Sequence, residues 1–328
     1  MKNIRRTVIA SLIAAPVVLI SNAANSQVPF PTKAITLIVP FAPGGSTDII
    51  GRIIAEGLTK QLGQAVVVDN KAGAGGSLGA RAIATAQPDG YTLGLATVST
   101  HVINPIVQPQ ISKIDPIKDF TLISQIASIP NVVSINSQVP AKNLAEFISY
   151  ARANPGKLNY GTPGSGSLGH MMGETFKSEA KVFLTHIPYR GAAPALNDTI
   201  SGQVQVLFDN LPSSLPHIKS GKLLALAVAA DQPLAALPGV PTFAQAGLKA
   251  VNDAAWVGLV GPHGLPADVE KRLHTALLKV LNSPEAKAKF DTLLAQTVGG
   301  TEAEFKKVIE AHAARTRATI KSAALKFE

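Results

Sequence analysis

Residues 35–48 read Ile35-Thr36-Leu37-Ile38-Val39-Pro40-Phe41-Ala42-Pro43-Gly44-Gly45-Ser46-Thr47-Asp48. The apolar run at the start predicts a buried strand, and the Gly-Gly pair predicts a loop whose backbone a ligand can approach. A helix follows, because apolar residues recur at helical spacing from Ile50 to Leu58. We expect Ser46 or Thr47 to cap that helix and Asp48 to complement its dipole. Backbone N–H groups at such a helix start favour an anion, although an ordinary tight turn has the same pattern.

The same design recurs roughly 120 residues later. A short run at Leu158 leads into the loop Gly161-Thr162-Pro163-Gly164-Ser165-Gly166-Ser167, and a helix begins at about Leu168. The spacing Gly164-x-Gly166-x-x-Gly169 also matches the dinucleotide fingerprint, but the acidic residue that the fingerprint needs about 20 positions later is absent. We therefore expect this loop to bind a smaller anion, such as a carboxylate, with hydroxyls as extra donors. Two such loops predict one anionic ligand held between two lobes.

The N-terminus has the pattern of a secretory signal peptide. Lys2, Arg5 and Arg6 precede an apolar run over residues 8–20, and small residues follow up to Ser26. We expect residues 1–26 to be removed and the mature protein to be exported. An uncleaved membrane anchor is the alternative.

Composition excludes several classes of protein. The chain has no cysteine, so disulfides and thiol catalysis are excluded. Its net charge is +9, and the basic residues are scattered, which predicts no nucleic-acid surface. None of the seven histidines lies in a His-x-His or His-Glu-x-x-His pattern, so we expect no metal site and no cofactor. A hydrophobic content of 46% with 5% aromatic residues is typical of a globular α/β protein.

Apolar runs alternate with helical patterns along the chain, which favours parallel sheets with crossover helices. The predicted strands are residues 35–39, 65–69, 91–97, 121–127, 132–135, 182–186, 204–208, 223–229 and 255–260. The predicted helices are residues 47–62, 77–86, 143–153, 168–178, 193–201, 267–281, 284–294 and 301–325. Thr301 and Glu304 have the spacing of a capping box at the start of the last helix.

A second loop motif raises an enzymatic alternative. Gly75-x-Ser77-x-Gly79 matches the nucleophile elbow of serine hydrolases, with His170 or His217 as the base. An elbow requires the strand to run straight into the serine turn, whereas several flexible residues precede Ser77 here. The hydrolase is therefore the alternative to a binding function, and the sequence contains no stronger indication of catalysis.

Polar residues that follow predicted strands are further candidates for the site, because ligands of open α/β sheets bind beyond the carboxyl ends of strands. They are Thr97, Ser99, Thr100, Tyr189, Arg190 and Asp209. Asp209 faces the cleft in one interpretation and caps the next helix in the other. His170, just inside the second loop's helix, contacts the ligand or only packs.

Six motifs in order resemble a known family. They are Pro40-Phe41-x-Pro43-Gly44-Gly45-x-x-Asp48, Asn70-Lys71-x-Gly73-Ala74-Gly75-Gly76, Asn159-Tyr160-Gly161-Thr162-Pro163-Gly164-x-Gly166-Ser167-x-x-His170, Pro188-Tyr189-x-Gly191, Phe208-Asp209-Asn210 and Pro241-Thr242. Together they resemble the periplasmic receptors of tripartite tricarboxylate transporters, often called the Bug family. The resemblance runs from Pro31 to the C-terminal helix.

The resemblance implies a two-lobed periplasmic binding protein of the Venus-flytrap type (type II-like), each lobe a mainly parallel sheet flanked by helices. Residues 27–127 and 251–328 would form lobe 1, and residues 128–250 lobe 2. Such a receptor is not an enzyme: it captures a small organic carboxylate in the periplasm and delivers it to integral membrane transporter subunits. We expect a monomer. A sensory co-receptor would use the same pocket.

The resemblance also implies the ligand-binding residues. The two loops would hold the carboxylate through backbone amides, hydroxyls and bridging waters, and the residues that reach the rest of the ligand would set specificity. The resemblance assigns this role to Phe41, Ala42, Pro43, Gly44, Gly45 and Ser46 in the first loop and to Thr162, Gly164, Ser165, Gly166 and Ser167 in the second. Their positions in the sequence, rather than the resemblance, add Asp48, His170, Thr97, Ser99, Asn131, Tyr189 and Asp209 to the predicted set.

Overall fold

The computed structural model describes residues 30–327, so the predicted signal peptide lies outside the described residues. One sheet contains β1 (Ile35–Val39), β2 (Val66–Asn70), β3 (Thr92–Thr97), β4 (Phe120–Ile129), β10 (Ala255–Pro262) and β11 (Gln296–Gly299). Its strand order is β11-β4-β10-β3-β1-β2. We call this sheet and the helices packed on it the first lobe.

The second sheet contains β5 (Asn131–Asn136), β6 (Asn159–Thr162), β7 (Thr185–Pro188), β8 (Val206–Asn210) and β9 (Leu223–Ala229). Its strand order is β7-β6-β8-β5-β9. We call this sheet and its helices the second lobe. The chain enters the second lobe at Pro130, between β4 and β5, and returns to the first lobe between β9 and β10.

Eleven α-helices are present within residues 30–327. They are α1 (Ser46–Leu62), α2 (Ser77–Ala84), α3 (Asn104–Val107), α4 (Pro109–Ser112), α5 (Leu144–Ala153), α6 (Leu168–Ala180), α7 (Ala192–Ile200), α8 (Leu211–Lys219), α9 (Ala267–Asn282), α10 (Pro284–Thr292) and α11 (Glu302–Ser322). A π-helical turn covers Ser99–Ile103. The capping box of α11 is confirmed, because Thr301 Oγ1 accepts from the Glu304 amide while the Glu304 carboxylate accepts from the Thr301 amide.

The two-lobed α/β fold is confirmed, but both sheets are mixed rather than mainly parallel. In the first lobe, β1 pairs in parallel with β2 and β3, whereas β10 is antiparallel to both β3 and β4, and β11 to β4. In the second, β5 is antiparallel to β8 and β9. The antiparallel strands β4, β5, β9 and β10 are those that carry the chain between lobes. The parallel strand–helix repeats lie beside them.

Three other differences from the sequence pattern have local causes. β11 is a short edge strand that is largely exposed, so it has no apolar run to reveal it. The strand predicted at residues 182–186 lies at Thr185–Pro188, because the buried Val182 and Leu184 precede it in a loop. Helix α8 contains Pro212 and Pro216, and proline usually indicates a break. Pro212 is tolerated in the first turn, where no N–H donor is required.

Candidate functional site

A cleft lies between the two lobes, which pack closely enough to leave a free volume of about 30 Å³ inside it. The first lobe lines it with Phe41, Gly45, Ser46, Thr47, Thr97, Val98, Ser99, Ala255 and Trp256, and the second lobe with Pro163, Leu168, Gly169, Met172, Ala192, Asp209 and Asn210. Residues 31–327 form one compact unit, so the lobes are in contact around this cleft.

Four helices begin at the cleft. The lining includes the first residues or N-caps of α1 (Gly45, Ser46), α6 (Leu168), α7 (Ala192) and α8 (Asn210). The dipoles of all four helices favour negative charge at these ends, and the glycine N-caps of α1 and α7 leave their first N–H groups without a side-chain acceptor. At α6 and α8 the first amides already have partners: the Leu168 amide donates to Ser99 Oγ, and the Leu211 and Ser213 amides donate to the Pro130 carbonyl and to Ser46 Oγ. Asp209 is the one charged side chain among the lining residues, so this lining offers an anion backbone and hydroxyl donors but no lysine or arginine. The sequence predicted the α1 and α6 contributions and missed those of α7 and α8.

The start of α1 has no side-chain cap. Its N-cap is Gly45, which contradicts the expectation that Ser46 or Thr47 caps the helix. Ser46 is instead the first helical residue, and its hydroxyl contacts the opposite lobe: Ser46 Oγ lies 2.8 Å from Ser213 Oγ and accepts from the Ser213 amide at 3.0 Å. The N-cap of α7, Gly191, likewise provides no side chain. The first amides of α1 and α7 therefore lack side-chain caps where they meet the cleft.

Asp48 supports the first loop through hydrogen bonds on the side away from the cleft lining. It accepts hydrogen bonds from the Gly44 amide, from Asn70 Nδ2 and from Arg52 Nε, each at 2.9 Å. Asn70 Nδ2 also donates to the Phe41 carbonyl at 3.0 Å. Burial alone would raise the pKa of Asp48, but these hydrogen bonds outweigh it and lower the pKa. The Asp48 side chain is thus engaged with the loop and is not among the cleft-lining residues.

The first loop packs against the second lobe at the start of α7. A Cβ on Gly45 would lie 3.2 Å from the Ala192 Cβ, and the Ala42 amide donates to the Arg190 carbonyl at 3.4 Å. Phe41 and Gly45 line the cleft, whereas Pro43 and Gly44 are exposed. The Arg190 side chain is exposed as well.

Most amides of the second loop have partners within the protein. The Gly164 amide donates to Thr162 Oγ1 at 3.2 Å and the Gly166 amide to His170 Nδ1 at 3.1 Å. The Ser167 amide donates to the Gly164 carbonyl, and Ser167 Oγ caps α6 by accepting from the His170 amide. Only Pro163 of this loop is among the lining residues, together with Leu168 and Gly169 at the start of α6.

The second loop instead contacts the first lobe at Gly75 and Asn104. A Cβ on Gly75, whose φ is +59°, would collide with the Ser165 carbonyl oxygen, and a Cβ on Gly166 would collide with Asn104 Oδ1. Both glycines are therefore required by close approach of the two lobes. Gly75 belongs to the Gly75-x-Ser77-x-Gly79 motif that suggested a hydrolase elbow, and it packs against the second lobe.

His170 lies in a buried aromatic stack. Its ring is 3.9 Å from that of His186 at an interplanar angle of 9°, and His186 Nε2 lies 2.7 Å from Thr162 Oγ1. Burial lowers the pKa of His170 to about 4 and that of His186 to about 3, so both imidazoles are neutral at neutral pH. His170 was expected either to contact the ligand or only to pack. Its contacts with His186 and with the Gly166 amide are those of a residue that packs and supports the loop.

Asp209 is buried against the cleft at the end of β8. Its carboxylate accepts from Ser213 Oγ and from Ser214 Oγ, the latter at 3.0 Å. Its side chain is 3% exposed, and burial raises its pKa to about 6 despite these bonds. The N-cap of α8 is Asn210, so Asp209 is not the capping residue that the alternative interpretation required.

The remaining predicted residues divide into two groups. Thr97 and Ser99 line the cleft, and Ser99 Oγ accepts from the Leu168 amide of the opposite lobe at 2.9 Å. Asn131 and Tyr189 are not among the lining residues: Asn131 Nδ2 donates to the Asp253 carbonyl at 2.7 Å, and the Tyr189 hydroxyl donates to Asp198 at 2.7 Å.

Sequence reasoning missed the apolar half of the lining. Val98, Leu168, Met172, Ala192, Ala255 and Trp256 line the cleft and were not predicted. Periodicity assigns such residues to a core, and only the position of the second lobe shows that they border the cleft. Within residues 30–327, no group of three or more histidine, aspartate or glutamate side chains is arranged to hold a metal ion.

Comparison with known proteins identifies the family. The model of the "Tripartite tricarboxylate transporter family receptor" matches residues 50–325. The chain belongs to this family. It is 34% identical over 255 residues to the protein BugT of Bordetella pertussis, with 77% of this chain and 78% of BugT covered.

Solved structures of similar receptors have the same fold. "Structure of a periplasmic transporter" is 43% identical with a TM-score of 0.89, covering 91% of this chain and 100% of that chain. The R. palustris protein Rpa4515 with adipate is 36% identical with a TM-score of 0.86, covering 90% and 99%. MatC of Rhodopseudomonas palustris with bound malate is 31% identical with a TM-score of 0.85, covering 89% and 100%.

Proposed function

We propose that this receptor captures a small organic carboxylate in the cleft between its lobes and delivers it to the membrane subunits of a tripartite tricarboxylate-type transporter. The observation that carries the proposal is the convergence of four helix N-termini on a cleft without lysine or arginine in its lining. Preformed backbone donors bind an anion without the desolvation cost of a buried cation. The adipate and malate bound by two similar proteins support the same class of ligand.

The proposal includes how the lobes move. Residues 27–127 and 251–328 would form one rigid lobe and residues 128–250 the other, with hinges near Pro130 and in the segment that returns to β10. A ligand that contacts both lobes favours the closed form, because it makes both sets of contacts only there. All strands of the second sheet fall within residues 128–250, and the strands of the first sheet fall outside them except for Ser128 and Ile129 at the end of β4, which supports the division to within two residues.

We also propose a periplasmic, monomeric and non-enzymatic protein. Export is supported by the signal-like N-terminus and by the family. None of the helices within residues 30–327 has the length and apolar character that a membrane span requires.

The hydrolase alternative has no support from the geometry. Ser77 is 1% exposed at the start of α2, and its hydroxyl has no hydrogen-bond partner among the described residues. His170 is engaged with Gly166 and His186. A nucleophile requires a base within hydrogen-bond reach.

Thermal-shift and calorimetric titrations test the proposal. We expect adipate, malate or another mono-, di- or tricarboxylate to raise the melting temperature by mass action, because it binds the folded form alone. Adipamide is the matched control, since it has the length of adipate without the charge. If no carboxylate binds, or if adipamide stabilises the protein as much as adipate, the proposal is wrong.

A further inference from the structure

Trp256 is the single tryptophan of the chain and borders the cleft. It lies near the start of β10, directly after the chain returns from the second lobe. Phe41, Val98, Leu168 and Met172 are the other large apolar side chains of the lining. The cleft thus combines backbone donors for an anion with an apolar wall that a carboxylate group alone would not use.

The Trp256 indole is held by a buried histidine of α11. Trp256 Nε1 donates to His312 Nδ1 at 3.2 Å, and the His312 side chain is fully buried. An imidazole nitrogen that accepts a hydrogen bond carries no proton, so a neutral His312 has its proton on Nε2. Phe305, also on α11, packs edge-on against the indole at 5.3 Å between ring centroids.

Asp253 lies against the other side of His312. Its Oδ2 lies 2.7 Å from His312 Nε2, which has no hydrogen-bond partner among the described residues. Arg315 Nη2 lies 3.3 Å from Asp253 Oδ1, and Asn131 Nδ2 donates to the Asp253 carbonyl. Asp253 is therefore held from two directions, by α11 and by the start of the second lobe.

The series of polar contacts from Trp256 through His312 to Asp253 is not needed for packing alone. An apolar side chain would fill the space of His312 without burying a polar ring. The histidine instead gives the indole N–H a directional partner, which selects one orientation of the ring in the wall of the cleft. A wall with a fixed orientation discriminates between ligand bodies by contact area, because it does not adjust to each of them.

We propose that Asp253 and His312 are positioning residues that hold the Trp256 indole as a fixed apolar wall, and that this wall makes the receptor prefer carboxylates with an apolar body over short hydrophilic ones. The inference rests on the proposed function, because it concerns the part of the ligand beyond the carboxylate.

The test compares hexanoate with acetate in the full-length mature protein. The two probes have the same charge and differ by four methylene groups. Each buried methylene contributes about 0.8 kcal/mol, and tenfold in affinity corresponds to about 1.4 kcal/mol. We expect wild-type protein to bind hexanoate at least about tenfold more tightly than acetate. Fluorescence of Trp256 measures both affinities and reports from the cleft itself, because no other tryptophan contributes.

Substitution of His312 separates positioning from folding. His312→Leu removes the acceptor, and we expect the hexanoate-to-acetate ratio to fall by roughly three- to tenfold with little change for acetate. His312→Gln keeps an acceptor oxygen, and we expect it to restore most of the ratio. His274→Leu is the matched control, since His274 bonds the Gly300 carbonyl at 2.8 Å and does not line the cleft.

Asp253→Ala gives an independent measurement if His312→Leu fails to fold, because the Asp253 side chain is partly exposed. We expect the ratio to fall in this variant as well. The inference is overturned if wild-type protein does not prefer hexanoate, or if the His312→Leu and Asp253→Ala variants both keep the wild-type ratio. If wild-type protein binds no mono-, di- or tricarboxylate at all, the proposed function itself fails and this inference fails with it.

Discussion

Asp48 and Asp209 are both nearly buried, yet the pKa values of their carboxyl groups shift in opposite directions. Asp48 accepts from the Gly44 amide, Asn70 and Arg52, and its pKa is lowered although burial opposes the charge. Asp209 has only serine hydroxyls and a backbone amide as partners, so burial prevails and raises its pKa to about 6. The sequence placed both residues at the site, but it did not distinguish a loop support from a cleft carboxylate.

Replacing Asp209 tests the direction of its shift. With a pKa of about 6 in the folded protein and about 3.9 in the unfolded chain, the folded state binds more protons between these values. Stability should therefore fall as pH rises through this range, by up to about 3 kcal/mol. Asp209→Asn keeps an acceptor for the serines and removes the titration. Urea unfolding at several pH values should show a flatter dependence for the variant, and identical slopes would contradict the assignment.

Replacing Asp48 tests the support of the first loop. Asp48→Ala leaves the Gly44 amide and Asn70 without their acceptor, and we expect a loss of about 2–3 kcal/mol at pH 7. Because the folded pKa is lowered, the contribution of Asp48 is present above about 3.9 and is lost as pH falls through the folded value. The difference from wild type should thus shrink in acid.

Arg52→Ala is the control for the Asp48 experiment. Its side chain is largely exposed, so we expect a loss of at most about 1 kcal/mol in urea unfolding. If Arg52→Ala costs as much as Asp48→Ala, the ion pair rather than the loop hydrogen bonds stabilises this region.

At the scale of elements, helix starts differ in how they are capped. Side chains cap α5, α6, α10 and α11 through Asn143, Ser167, Ser283 and Thr301. Helices α1 and α7, which meet at the cleft, have glycine N-caps. A glycine N-cap leaves amides open to a ligand and allows the two helix starts to approach each other.

Adding a methyl group at Gly45 should hinder closure without straining the first loop. The φ of Gly45 is −83°, so alanine fits its backbone, but the new Cβ would lie 3.2 Å from Ala192 of the opposite lobe. We expect Gly45→Ala to weaken adipate binding by about tenfold, or 1.4 kcal/mol, measured by calorimetry. Gly161→Ala is the control, because its Cβ would have ordinary contacts at 3.4 Å. Equal affinities for both variants would contradict this role of Gly45.

At the scale of the whole molecule, hydrogen bonds between lobes favour the closed form. Ser46 bonds Ser213, and Ser99 Oγ accepts from the Leu168 amide. Each bond contributes about 0.5–1.5 kcal/mol to the closed arrangement. These serines therefore link ligand capture to the position of one lobe relative to the other.

Removing both serines should open the protein. We expect the Ser46→Ala/Ser99→Ala double variant to have a larger radius of gyration in small-angle scattering and a weaker affinity for adipate. Ser283→Ala is the control, because it removes the cap of α10 and costs about 1 kcal/mol of stability without touching the cleft. An unchanged radius in the double variant would show that these bonds do not determine closure.

The sequence by itself determined many of the helices and strands of this protein and where some of them begin. Apolar periodicity located β1, α1 and α9, and the Thr301–Glu304 spacing located the start of α11, because such signals depend on neighbours within one or two turns. The ordered motifs likewise indicated the family.

Only the tertiary structure decided which groups meet at the cleft. The loop 161–167 was expected to offer its amides to a ligand, but most of them bond within the protein. The sequence did not predict that the starts of α7 and α8 and the Trp256 indole line the cleft, because their positions depend on where the chain crosses between the lobes. Local hydrogen bonding and periodicity contain no information about such long-range contacts, whereas the packing of one lobe on the other fixes them.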